Sequence, residues 1–194
     1  MIRAFAFALL ILPAVPIALA AQTAPERPAI SKSDLAVGYS YLVQNYQHTQ
    51  LNRTTGGMSG WNMEYAVPLQ PGSHWGLMFN GAGYYAGAGL DGTTQIYFTM
   101  IGPRYAMAVG GSTLELRGLV GSMFASGFVI AQTSSKVRPI FGAGGAWDFR
   151  ARRRLAWRVG FDWIYGGFNS NDTNQISQIV RNNGRLSVGP VWRF

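Results

Sequence analysis

With two histidines and no cysteine, this chain has little equipment for chemistry. A hydrolase or acyltransferase needs a nucleophile with a base in reach, usually a serine beside a histidine that a carboxylate orients. His48 lies in a polar stretch with no acid close by in sequence, and His74 adjoins a turn expected at Gln70 to Ser73. The topology derived below sends the two to opposite ends of the molecule, and no strand carries a His-x-Ser spacing. No catalytic residue is expected. Without thiolates, and with only two imidazoles, neither a metal site nor a cofactor is expected. The remaining ionisable groups are of another kind. Glu64, Glu115, Asp148 and Asp162 recur with Arg104, Arg117, Arg138, Arg158 and Arg185 inside otherwise apolar or glycine-rich segments. Arginine offers a planar fork of donors that matches a carboxylate, so the chemistry these residue types point to is mutual pairing.

The elements that must position them alternate with a period of two. Leu35, Val37, Tyr39, Tyr41 and Val43 share one face, as do Trp61, Met63, Tyr65, Val67 and Leu69. Trp75, Leu77, Phe79, Gly81, Gly83 and Tyr85 follow, then Tyr97, Thr99, Ile101, Pro103 and Tyr105. Leu114 to Phe124, Val137 to Phe149, Leu155 to Tyr165 and Leu186 to Phe194 repeat the pattern. After Ser33 no stretch has helical periodicity, and none is apolar over the ~20 residues a spanning helix needs. Each segment has the ~10 residues with which a tilted strand crosses a bilayer core. Connections alternate between tight turns (Gln70 to Ser73, Ala108 to Ser112, Arg150 to Arg153) and longer polar loops (Asn45 to Met58, Ala86 to Gly92, Ala125 to Ser135, Asn169 to Asn182). That alternation is the habit of an eight-stranded antiparallel up-and-down transmembrane β-barrel. The closing strand carries its apolar face to Phe194 itself, with lipid as the expected cover.

The side on which the charges sit follows from cost. A charge on the lipid face at mid-membrane is worse by ~2–4 kcal/mol, so the ionic face must point inward and the bulky face outward. An interior bounded by eight strands is narrow enough for side chains to fill. The expected lumen is a near-neutral network of Glu64, Arg104, Glu115, Arg117, Arg138, Asp148, Arg158, Asp162 and Arg185 that plugs the barrel. Aromatics should form two belts: Trp75, Tyr105, Trp147, Phe149, Trp157, Trp192 and Phe194 at the turn end, and Trp61, Tyr85, Tyr97, Phe124, Tyr165 and Phe168 at the loop end.

Composition bounds the rest. Charged residues make up only 12% of the chain and aromatics 13%, against about a quarter charged in soluble domains. The formal net charge of +8 is spread over strands and one turn, so nucleic-acid binding is not expected. Residues 1–20 read as a cleaved signal peptide: Arg3, an apolar run from Ala4 to Leu12, and Ala18-Leu19-Ala20 as the cleavage site. Residues 21–33 read as a flexible lead-in, and 34–194 as the barrel. The cluster Arg150, Arg152, Arg153 and Arg154 at a turn is a candidate for phospholipid headgroup contact, at ~1 kcal/mol per basic residue. Tyr46, His48, Tyr84 and the Asn-rich segment Asn169 to Asn174 are the candidate outward surface.

Several stretches together resemble a known group. They are Gly38-Tyr39-Ser40-Tyr41-Leu42, Ser59-Gly60-Trp61-Asn62, Gly102-Pro103-Arg104, Arg138-Pro139-Ile140-Phe141-Gly142, Gly144-Gly145-Ala146-Trp147-Asp148 and the ending from Arg185 to Phe194. In this order they resemble the small outer-membrane β-barrel proteins of Gram-negative bacteria, the porin-like outer membrane beta-barrel domain family, akin in architecture to the OmpA transmembrane domain. The resemblance implies a bacterial outer-membrane location and contact with lipopolysaccharide and phospholipid. It also implies recognition of Trp192 and Phe194 by the barrel-assembly machinery. No peptidoglycan-binding domain is expected after the barrel. Pro190 departs from the pattern, because its missing N–H must cost a ladder bond to one neighbour. The leading expectation is a monomeric, non-enzymatic structural or surface-interaction protein whose loops meet an unidentified extracellular ligand. A narrow pore for ions or small solutes is the alternative, and a lipid A-modifying barrel enzyme a more distant one.

Overall fold

The computed structural model describes residues 33–47, 54–85, 95–126, 136–150, 154–166, 178–179 and 182–194. The expected signal peptide and lead-in therefore lie outside the described residues, apart from Ser33. So do His48, Phe168, Asn169 to Asn174, Arg152 and Arg153, and the side chains of Tyr46 and Arg150.

Eight long strands close into one antiparallel barrel. They are β1 (Asp34–Gln47), β2 (Thr54–Pro68), β3 (Trp75–Tyr85), β4 (Gln95–Val109), β5 (Ser112–Ser126), β6 (Lys136–Arg150), β7 (Leu155–Tyr165) and β9 (Asn182–Arg193). A two-residue piece, β8 (Gln178–Ile179), pairs with the far end of β1 through Tyr46↔Ile179 and Gln47↔Gln178. Each long strand pairs with the next long strand, β7 with β9 across the short β8, and β9 returns to β1 to close the ring. The up-and-down barrel is as the alternation required. β1 and β2 run further than expected, pairing as far as Tyr46↔Thr54 and taking in part of the segment assigned to the first loop.

The tight turns follow from local chemistry. Gly110 and Gly111 both have positive φ, 53° and 87°, as a two-residue type I′ hairpin loop between Val109 and Ser112 demands. At the β2–β3 turn Leu69 N–H donates to Trp75 O at 3.0 Å and Ser73 N–H to Gln70 O at 2.9 Å. Closure at the same end is tied by Phe194 N–H donating to Ser33 O at 3.0 Å.

Burial alternates along the strands, with the polarity opposite to that of a soluble barrel. Trp61, Met63, Tyr65, Phe79, Leu116, Val120, Phe141, Phe161, Trp163 and Leu186 are exposed on the outer wall, whereas Glu64, Glu115, Arg117, Arg158 and Asp162 are buried. A contiguous apolar wall of this kind is unsuited to water and matches bilayer hydrocarbon. The described belt aromatics lie towards the strand ends, but Phe79 and Phe161 are also exposed on the wall between them. At the turn end Trp75 and Tyr105 pair across the β3–β4 ladder, edge to face at 5.1 Å. Trp147 stacks on Phe149 at 5.6 Å. At the loop end Tyr85 meets Tyr97 at 6.1 Å.

Prolines mark where the wall is incomplete. The β9–β1 ladder skips Val37 and Gly38, opposite Pro190 and Gly189, while the β7–β9 ladder continues unbroken through Trp157↔Pro190. Pro190 thus withholds its donor from β1 alone. Pro103 does the same four strands away, where the β4–β5 ladder skips Gly102 and Pro103 opposite Leu119 and Gly118.

Candidate functional site in the lumen

The lumen holds two stacked layers. β1 enters at the turn end with Asp34 and reaches Leu42 eight residues later, roughly 26 Å along the strand, and the lining changes character over that span. Near the turns the inward positions carry the ionic side chains, interspersed with small buried residues such as Ala36, Ala156 and Val191. Towards the loops they are apolar.

The ionic layer is continuous. Arg104 Nη1 donates to Asp34 Oδ2 at 2.6 Å and to Glu115 Oε2 at 3.1 Å. Arg117 grips Asp162 with two bonds, Nε to Oδ1 at 2.6 Å and Nη2 to Oδ2 at 2.8 Å. Its Nη1 lies 2.8 Å from Glu64 Oε2 and 3.5 Å from Glu115 Oε1. Arg158 is the hub. It donates to Asp148 through Nε at 2.8 Å, to Glu64 Oε2 at 2.8 Å and to Glu115 Oε2 at 3.1 Å, and Asp34 Oδ1 lies at 3.5 Å. Arg185 donates to Asp162 Oδ2 and to Asn80 Oδ1, both at 2.8 Å. Arg193 completes the layer on Asp148 Oδ2 at 2.7 Å.

Five arginines thereby face five carboxylates, each engaged by at least one opposite charge. Burial without such partners would be prohibitive. Arg117 and Arg158 each bridge three or more acids drawn from different strands. A layer linked in this way ties the wall together across the lumen. Among the described residues no group of three or more His, Asp or Glu is arranged to hold a metal ion.

Eight of the nine residues expected in this network take part. Arg138 does not: it stands at the loop end of β6, half-buried, with its Nε lacking a hydrogen-bond partner. It is too far along the strand from the acids, which cluster near the turns. Two members were missed, Asp34 and Arg193, which flank the closing seam and pair in register with each other. Their inward direction follows from the alternation, but both lie at the extreme ends of strands, where a charge reads as solvated.

The apolar layer is a second correction. Leu42, Met58, Ala82, Tyr84, Ile96, Phe98, Met100, Leu119, Met123, Ile140 and Ile164 form one buried cluster, which reaches the ionic layer through Ala66 and Met78, where a wholly polar interior was expected. Tyr84, expected on the outward surface, is inside this layer with no exposure. Its hydroxyl pairs with Ser40 Oγ at 2.8 Å and its ring lies 5.3 Å from Phe98. Methionines at 58, 100 and 123 suit such a lumen, since an unbranched thioether fills irregular gaps.

The other singled-out residues stay apart from the lumen. His74 stands at the turn end, where Nδ1 lies 2.8 Å from Ala106 O and the ring packs on Tyr105. Arg154 is exposed next to the β6–β7 turn. Trp192 is exposed on the outer wall, in register with Leu35 and Leu155, and Phe194 is exposed beside Ser33 at the turn end.

No family model and no curated protein matches the chain. Solved structures do. Neisserial surface protein A aligns with a TM-score of 0.57 at 10% identity, over 82% of this chain and 97% of that one. The outer membrane protein OprG from Pseudomonas aeruginosa aligns with a TM-score of 0.54 at 8% identity, over 87% of this chain and 99% of that one. At such identities the likeness is one of fold. The chain has the fold of the small eight-stranded outer-membrane barrels.

Proposed function

We propose that the chain is an exported bacterial outer-membrane barrel with a sealed lumen. In this reading it is monomeric, carries out no catalysis, and acts structurally or in surface interaction through its loop end. The filling of the lumen carries the reading. Across the turn half the arginines and carboxylates neutralise one another at ion-pair distance, and across the loop half apolar side chains pack with almost no exposure. An ion crossing that second layer would shed its water with nothing to replace it. The outer wall supports a bilayer position, and the likeness to outer-membrane barrels supports the outer membrane as that bilayer.

Partners follow from the same picture. Lipopolysaccharide and phospholipid are the proposed surroundings of the wall, with Arg150, Arg152, Arg153 and Arg154 as the candidate contacts to inner-leaflet headgroups. The barrel-assembly machinery reads Trp192 and Phe194 during biogenesis, and an extracellular ligand meets the loops. Single-channel recording in planar bilayers tests the sealed lumen. Silent membranes are expected. Steady conductance that changes with Arg117→Ala or Glu115→Ala would replace this reading with the pore.

A further inference from the structure

The seam where β9 meets β1 gathers three polar groups that lack the partner burial demands. Pro190 has no N–H, so the carbonyl of Val37 across the interrupted ladder loses its donor. Immediately inside the wall, Asn62 Oδ1 and Ser187 Oγ are buried without a hydrogen-bond partner. Asn62 is already oriented by its amide nitrogen, which donates to Glu64 Oε1 at 3.3 Å. Residues that carry all three groups line one small, half-open cavity, Val37, Gly38, Asn62, Arg158, Ser187 and Gly189 among them, with about 10 Å³ of room for a water-sized sphere. The Ser187 hydroxyl stands at its β7 side, beside Gly160.

The surroundings cannot supply the missing bonds. Hydrocarbon outside the seam has no donor to offer, and an unsatisfied backbone group there costs several kcal/mol. The two strands are also too close for a side chain to fill the space. A Cβ at Gly38 would strike the Val188 carbonyl oxygen, and one at Gly189 the Val37 carbonyl oxygen.

We propose that a single ordered water molecule is built into this seam. It donates one hydrogen to Val37 O and the other to Asn62 Oδ1, and it accepts the hydroxyl hydrogen of Ser187. Three bonds and a volume of ~10–15 Å³ are what a buried water needs. The chemistry excludes other occupants. The guanidinium of Arg158 on the cavity wall repels a cation, the two carbonyl oxygens repel an anion, and nothing larger fits. The β4–β5 seam is the internal contrast. Pro103 interrupts it in the same way, but the space beside it is a wide groove of about 440 Å³ on the outer wall, lined chiefly by Trp75, Tyr105, Leu116, Gly118 and Ala143. None of its lining side chains carries an orphaned oxygen, and no ordered water belongs there.

Water-selective NOE spectra of the refolded full barrel in detergent micelles test this. In the wild type the amide protons of Gly38 or Gly189 should show a cross-peak to water with the sign of a long-lived complex. Ser187→Val, which removes the hydroxyl and fills the space, should abolish it. Pro190→Val, which returns an N–H to the Val37 carbonyl, should weaken it, and Pro103→Val should leave it unchanged. A wild-type spectrum without the cross-peak, or a cross-peak that survives Ser187→Val, overturns the proposal. A high-resolution crystal structure of the wild type decides the same point if the variants do not fold. Density within hydrogen-bonding reach of Ser187 Oγ and Asn62 Oδ1 is expected. A dry cavity, or an Asn62 amide turned to bond Ser187 directly, contradicts it.

Discussion

Replacing Arg117 by methionine should be among the most damaging single changes in the barrel. The guanidinium makes two bonds to Asp162, at 2.6 and 2.8 Å, and lies 2.8 Å from Glu64. Methionine keeps much of the stem but leaves these acids short of one positive charge in a side-chain environment with no exposure. Glu64 retains Arg158, and Asp162 retains Arg185, so neither acid is stranded, but the layer becomes five acids against four bases. Removing one member of a buried pair typically costs ~3–5 kcal/mol, a shift of roughly 10²- to 10³-fold or more in the folding equilibrium. Arg193 is the control, because it holds one acid, Asp148, which keeps Arg158, and its side chain is 13% exposed. Arg193→Met should cost about 1 kcal/mol, as partly exposed pairs do. Reversible urea unfolding in lipid vesicles, followed by tryptophan fluorescence and the gel shift of the folded barrel, measures both. The reasoning fails if Arg117→Met costs no more than Arg193→Met. It also fails if adding Asp162→Asn to Arg117→Met does not recover part of the loss.

Further expectations are simpler. Arg138→Ala, at a residue outside the ionic layer, should alter unfolding free energy by no more than about 0.5 kcal/mol in the same titration. Val120→Arg places a charge midway along the outer face of β5, where it should cost ~2–4 kcal/mol; a neutral effect on vesicle folding would mean that this face does not meet hydrocarbon. Deleting Phe194, whose amide closes the ring on Ser33, should leave protease-sensitive periplasmic chain, and normal heat-modifiable membrane protein after the deletion would refute the terminal-strand role. Lipid A mass spectra of cells with and without the gene should be identical; a change in acylation or phosphate content would point to an enzyme.

Period-two alternation made the barrel readable, because one register fixes the direction of every side chain on a strand. It placed Trp163 and Leu186 outside and Arg158 and Glu115 inside, and it identified Pro190 as a break in closure. The division of the lumen was less legible. Charges are conspicuous against an apolar background, so the ionic face stood out wherever an Arg or Glu alternated with a Trp or Val. In the loop half both faces are apolar, as in Ile96-Tyr97-Phe98-Thr99-Met100-Ile101, and alternation has no contrast to work with. Tyr84 shows a second difficulty. It is next to Tyr85, and the alternation that turns Tyr85 outward already turns Tyr84 inward, but its place at the end of the strand makes it read as part of the loop. The register Gly60↔Tyr84 keeps it within the ladder. Asp34 and Arg193 escaped because a terminal charge looks like a solvated cap until the ring closes and sets the two ends of the barrel side by side.

Labelling along β5 tests the inverted polarity most directly, and the absence of native cysteine gives a clean background. Single cysteines at Leu116, Gly118, Val120, Leu119 and Met123, each carrying a nitroxide in refolded vesicles, report collisions with oxygen dissolved in the lipid. Positions 116, 118 and 120 should show high oxygen accessibility, and positions 119 and 123 should be shielded. The reverse pattern, or outer-wall positions reached by a water-soluble nickel chelate, would contradict a barrel that turns its apolar face to the bilayer and closes its charges inside.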